Sequence, residues 1–260
     1  MKILLTNDDG IQARGIQALW QELATLPAAE ITIAAPDRER SAMSQAITMH
    51  HPIRVDEYPV SSPNIKAWSI GGTPADCVKI AIEALMKTPP DLVISGINHG
   101  PNLGTDVLYS GTVSAAIEGA LHGLPAIAVS LDSWQSRNFS AAVSFIRALS
   151  LHIHANPLPP NTLLNVNVPA LEISEISGMS ITKLGVRKYE NIFERRSDPR
   201  GRTYYWMGGN LVDNDNDDDS DIVALQEGRI SVTPIHFDLT SYDLMSQMEQ
   251  LPNILAWNKS

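Results

Sequence analysis

One cysteine, Cys77, stands in the 260 residues. An internal disulfide is therefore excluded, and the helical pattern around Cys77 reads as a packed thiol rather than a redox or nucleophilic centre. Basic side chains are also scarce, with 19 Lys and Arg against 29 Asp and Glu and a formal charge of -10. That balance argues against a partner held through many nucleic-acid phosphates. No stretch approaches the roughly 20 uncharged apolar residues of a membrane helix. The first residues enter an apolar strand without a basic leader, so a cytoplasmic location is expected. Neither a phosphate-cradling Gly-Lys-Ser loop nor a Gly-rich dinucleotide fingerprint is present. The acidic run from Asp213 to Asp219 lacks the Gly and the twelfth-position Glu of a calcium loop and reads as a solvated loop.

What is present is alternation. Ile3 to Thr6, Ile31 to Ala35, Ala67 to Ile70, Leu92 to Ser95, Ala126 to Ser130 and Leu164 to Val168 read as strands. Between them Gly15 to Leu26, Pro74 to Met86, Thr112 to His122 and Phe139 to His154 carry apolar residues at helical spacing. Strand and helix in turn predict an α/β fold, a mostly parallel sheet with helices on both faces. Thr73, Pro74 and Asp76 form a box-like start signal for the second helix. After about residue 175 the alternation gives way to a β-leaning polar extension, with one further strand over Arg229 to Ile235. We expect a catalytic core over residues 1–175 and an extension over 176–260 that is no independent domain. At its end Tyr242, Met245, Met248, Leu251 and Leu255 share one helical face, which suggests packing against another subunit.

Ligands of open parallel sheets gather beyond the carboxyl ends of the strands. The first strand ends in Thr6-Asn7-Asp8-Asp9-Gly10, where adjacent carboxylates repel unless a cation or proton separates them. An Asx turn with solvated acids is the plainer reading. Ser41 lies in the polar loop after the second strand, where a helix cap or surface hydroxyl would look the same. The fourth strand leads into Ser95 to Gly104, read as a loop rich in Gly and Asn, whose amides Asn98 and Asn102 could equally form turns. Together these carboxylate, hydroxyl and amide oxygens form a set suited to Mg²⁺ or Mn²⁺ rather than zinc. Ser110-Gly111-Thr112 opens the third helix, where free N–H groups suit a phosphate and a simple Ser cap is the alternative. His99 is the one histidine within these loops.

These residues resemble the SurE (survival protein E) family of 5'/3'-nucleotidases over nearly the whole chain. The similarity runs through ILLTNDDG at 3–10, APDRERSAMSQAIT at 35–48, GGTPADCV at 71–78 and SGINHGPNLGTDVLYSGTVSAAIEGALHGLPAIAVS at 95–130, then DPRGRTYYWMGG at 198–209 and SVTPI at 231–235. One departure is Ser220, where the family's pattern has Thr. The resemblance implies a Rossmann-like core, one divalent metal ion, hydrolysis of nucleoside monophosphates, and homodimers or homotetramers built through the extension. It places metal ligands at Asp8, Asp9, Ser41 and Asn98, and phosphate-side residues at Ser110, Gly111 and Thr112, with Asn98 and Asn102 nearby. Asp9 is the candidate general base, and Asp8 chiefly a ligand. A phosphatase of the haloacid dehalogenase kind would need a second Asp two positions after its nucleophile, yet Gly10 and Ile11 stand there. A nucleotide-sensing protein without turnover is the rival of another class.

Overall fold

The structure is a computed structural model that describes residues 1–190, 192–212 and 217–248. Its strands are β1 (Lys2–Thr6), β2 (Glu30–Pro36), β3 (Val55–Glu57), β4 (Ile65–Ile70), β5 (Leu92–His99), β6 (Ala126–Asp132), β7 (Thr162–Pro169), β8 (Met179–Ile181), β9 (Lys188–Glu190), β10 (Phe193–Ser197), β11 (Thr203–Met207), β12 (Asn210–Val212) and β13 (Ile230–His236). The helices are α1 (Arg14–Leu23), α2 (Pro74–Ile80), α3 (Gly111–Leu121), α4 (Ser140–Ala155), α5 (Asp221–Gln226) and α6 (Tyr242–Met248).

A nine-stranded sheet in the order β3-β4-β2-β1-β5-β6-β7-β13-β8 forms the frame. From β4 to β7 every neighbouring pair is parallel, whereas β3 and β13 join antiparallel. Side chains alternate between two buried layers, as the period of two along a strand requires. Ile3 and Leu5 join Ile31, Ile33, Leu92 and Ile94 beneath α1 and α4, while Leu4, Ala34 and Val93 lie on the α2 and α3 side. The central strands β1, β2 and β5 are thus apolar on both faces, the requirement of a sheet covered twice. The extension contributes to this frame, since β13 pairs with β7 and β8 pairs with β13.

The Thr73 start signal forms as a reciprocal capping box with Asp76, preceding Pro74 at the first turn. The helix expected to run to Met86 instead passes at Ala81–Leu85 into a π-type turn. Cys77 is fully buried between α2 and the sheet, and burial pushes its thiol well up, which leaves no thiolate for chemistry. Of the acidic run, residues 213–216 lie outside the described residues. Asp217 and Asp219 meet the Lys183 ammonium at 2.5 and 2.9 Å. Leu251 and Leu255 of the proposed terminal face also lie outside the described residues.

Candidate active site

After β1 the chain moves to β2 and β4 on one side, and β5 occupies the other side of β1. The crevice of an open α/β sheet opens at such a reversal, above the carboxyl ends of the two strands. Asp8 and Asp9 follow β1 there, and Asn98 lies near the end of β5. Gly10 holds φ at +94°, a conformation that side chains other than glycine disfavour, and folds the turn back against the Arg38 backbone. This contact, with the Arg40 N–H donating to the Asp8 carbonyl at 2.7 Å, brings the loop after β2 onto the carboxylate pair.

Asp8 is buried and received by the first turn of α3. Thr112 Oγ1 donates to its Oδ1 at 2.5 Å, and the Thr112 N–H donates to its Oδ2 at 3.1 Å. Burial still raises the carboxyl to about 6, against the lowering effect of the Thr112 hydrogen bonds and with Asp9 adding repulsion. Asp9 is raised too, chiefly by burial, although it accepts the His99 N–H on Oδ2 at 3.2 Å and has the His99 Nδ1 at 3.7 Å. Among the described residues neither carboxylate has a Lys or Arg partner. Two desolvated adjacent acids without a strong counter-charge are the chemical condition a bound cation relieves.

The other expected ligands sit one residue from groups that touch this pair. Ser41 follows Arg40; it is exposed, and its hydroxyl donates to Glu39 Oε1 at 2.8 Å. Asn98 precedes His99 and is buried, with Nδ2 donating to the Gly100 carbonyl at 2.8 Å. Its amide oxygen could serve as a neutral ligand. Among the described residues no group of three His, Cys, Asp or Glu could hold a metal, so a cation here takes two carboxylates and neutral oxygens. Below the pair, Thr6 and Ser95 are register partners whose buried hydroxyls lack hydrogen-bond partners, as does Asn7 Oδ1. The donor set fits a hard divalent ion.

One reading of the sequence needs correction. Gly96 to His99 belong to β5 rather than to a loop, pairing with β6 across an irregularity between Ser95 and Asn98. Gly and Asn are poor strand formers, and pairing with a neighbour overrides that preference. At the start of α3 both the cap and a contact to Asp8 are formed. Ser110 caps it by accepting the Val113 N–H at 3.1 Å, and Asp8 takes the Thr112 N–H. Gly111 is needed for Asp8 itself: a Cβ there would stand 2.8 Å from Asp8 Cβ and 2.9 Å from its Oδ2.

Asn102 is held from every side. Its N–H donates to Asn167 Oδ1, its Nδ2 to Ser130 Oγ, and its carbonyl accepts from Asn165 and Asn167. Asn165 and Asn167 escaped the sequence reading, although two amides on one face of an otherwise apolar strand were the available signal. Asp221 escaped it as well. Fully buried, it accepts the Gly104 N–H on one oxygen and the Gly185 N–H on the other, both at 2.8 Å, tying the extension to the loop after β5.

The fold is a doubly wound α/β sheet with a buried carboxylate pair at its reversal point. The chain belongs to the SurE family: the family model described as Survival protein SurE matches residues 3–191. A 5'-nucleotidase SurE of Heliobacterium modesticaldum is 54% identical, over 95% of this chain and 90% of that protein. A 5'-nucleotidase SurE of Pelotomaculum thermopropionicum is 56% identical, over 96% and 95% respectively. The crystal structure of the SurE protein from Aquifex aeolicus superposes with a TM-score of 0.82 at 36% identity, covering 96% of this chain and 98% of that one.

Proposed function

We propose that this chain is a divalent-metal-dependent phosphomonoesterase that hydrolyses nucleoside 5'- and 3'-monophosphates to nucleoside and phosphate. The observation that carries the reading is the buried Asp8–Asp9 pair at the sheet's reversal point, lacking a Lys or Arg partner among the described residues. Asp8, Asp9, Ser41 and Asn98 would hold one Mg²⁺ or Mn²⁺. When bound, that ion polarises a phosphoryl oxygen and makes bound water more acidic. Thr112 holds Asp8 in one orientation through two hydrogen bonds, which fixes a ligand before substrate arrives. Asp9 is the proposed general base, because its side chain retains 16% exposure and can meet water while Asp8 is sealed. Ser110, Gly111 and Thr112 line the phosphate side with Asn98, and Asn102 anchors the loop between.

The reading includes a single folded unit, with 1–175 as catalytic core and 176–260 as its extension, assembling as a homodimer or homotetramer in the cytoplasm. No helix among the described residues is long and apolar enough to cross a membrane. Phosphate release from a nucleotide panel, with metal-stripped protein supplemented one ion at a time, tests the function. Nucleotide binding without phosphate release in Mg²⁺ or Mn²⁺ would identify a sensor instead.

A further inference from the structure

A second concave site lies along the same edge of the sheet, beyond the carboxyl ends of β2 and β4. It is a cleft of about 280 Å³ lined by Asp37, Arg38, Arg40, Arg54, Asp56 and Ser69, with Pro52 and Gly71 at its margin. Three arginines lining one cleft, beside the carboxylates of Asp37 and Asp56, leave it a cationic excess in a chain of charge -10. Arg40 is paired with Asp37 at 3.3 Å, but its Nε is buried without a partner. Arg38 and Arg54 have no ion-pair or side-chain hydrogen-bond partner among the described residues.

Their backbones, by contrast, are fixed. The Arg38 main chain packs against Gly10, and the Arg54 carbonyl accepts the Gly71 N–H at 2.9 Å. The Asp37 N–H donates to the Ile70 carbonyl at 2.9 Å, which fastens the ends of β2 and β4 to each other. Anchored main chains with unpaired guanidinium groups present forked donors whose geometry matches a phosphate oxygen pair. Arg40 links this cleft to the carboxylate site, because its N–H holds the Asp8 carbonyl while its side chain lines the cleft.

We propose that the cleft is a phosphoanion subsite, taking a phosphoryl group other than the one being hydrolysed. The group arrives either on the substrate, as a second phosphoryl, or as free phosphate. The first source rests on the nucleotidase reading, whereas binding of free phosphate does not.

The test compares metal-loaded wild type with an Arg38→Ala, Arg54→Ala double variant. Neither side chain has a partner among the described residues, so the variant is expected to fold. An Arg147→Ala, Arg229→Ala control removes equal charge elsewhere. Inorganic phosphate is titrated calorimetrically, and turnover is measured on a nucleoside 5'-monophosphate and on the matching 3',5'-bisphosphate. Loss of charge-assisted hydrogen bonds should weaken one phosphate-binding event, or raise KM for the bisphosphate, by about tenfold or more. KM for the monophosphate should move by less than about twofold, the scale of an exposed charge. A rise in bisphosphate KM assigns the subsite to substrate-borne phosphoryl groups. Weakened phosphate binding with unchanged bisphosphate KM assigns it to free phosphate. Unchanged values in both measurements, or equal losses in the control pair, overturn the proposal. If wild type hydrolyses no nucleotide, the nucleotidase reading fails while the phosphate titration still decides the subsite.

Discussion

Four of the five residues of β1 are buried, whereas every residue of β10 and β11 is exposed, including Phe193, Tyr205, Trp206 and Met207. Both regions are rich in apolar side chains, but among the described residues only the first finds its partners. In β1 the two faces are closed by helices from the same core. The β10–β11 hairpin pairs Phe193 with Met207 and Glu194 with Trp206 across its strands, and no further layer among the described residues covers it. A two-stranded hairpin alone is marginally stable in water, and exposed aromatic groups of this kind suit the centre of a subunit interface. On the proposed reading, the strand ends of the core carry the chemistry and the extension carries the assembly.

The sharpest way to break this division is at the core. Asp9→Asn should lower turnover by at least ~10²-fold, the scale of removing one preorganised electrostatic group. Retention of both metal and wild-type rate would remove Asp9 from the role of base and of essential ligand.

Next in size is the pH dependence of the metal-free protein. Asp8 ionises at about 6 in the folded chain against an ordinary 3.8. Below pH 3.8 it is protonated in both states and costs nothing. As pH rises from 3.8 to 6 the unfolded chain releases its proton first, so stability falls, and the full penalty is present above pH 6. The span corresponds to about 3 kcal/mol, roughly 10² in the folding equilibrium. Chemical denaturation of chelated protein across this window should show that decline, and Asp8→Asn should make it shallower, leaving the part due to Asp9, whose carboxyl burial also raises. An identical decline in Asp8→Asn would assign the penalty elsewhere.

A smaller loss, about tenfold in kcat/KM, is expected from Gly111→Ala, because the new methyl must push the Asp8 carboxylate aside and misplacement by a fraction of an ångström weakens catalysis. Ser110→Ala removes the cap together with a hydroxyl on the phosphate side, and should cost about 0.5–2 kcal/mol of stability with a smaller loss of turnover than Gly111→Ala. Melting temperature and kinetics on the two variants separate these effects; equal losses of stability and activity in both would merge them.

The smallest change, about twofold in mass, tests the other side of the comparison. Tyr205→Ser with Trp206→Ser should lower the assembly by one step in light scattering, since aromatic groups dominate interface energetics. Per-site turnover should persist. Unchanged mass would take the hairpin out of assembly.

The same contrast explains what was legible from residues alone. Strand and helix periods in 1–170 are local, as is the Thr73–Asp76 box, and they emerge as expected except at the end of α2 and in the second half of β5. Adjacent Asp8 and Asp9 after an apolar strand also announce themselves. Their environment does not. Thr112 is 104 positions from Asp8, and the partner that occupies the α3 start cannot be read from its own turn. Likewise Asn165 and Asn167 acquire meaning only through Asn102, and Asp221 only through Gly104 and Gly185. The short strands β8, β9 and β12 went unread because three residues carry too little periodicity to outweigh their flanks.

The central claim is that a hard cation held by Asp8, Asp9, Ser41 and Asn98 makes this chain a nucleotidase. Phosphate release from a nucleoside 5'-monophosphate, measured on protein stripped of metal by chelation and then resupplied, tests it most directly. Hydrolysis should vanish in chelator and return with Mn²⁺ or Mg²⁺. Full activity in protein verified to be metal-free would contradict the account.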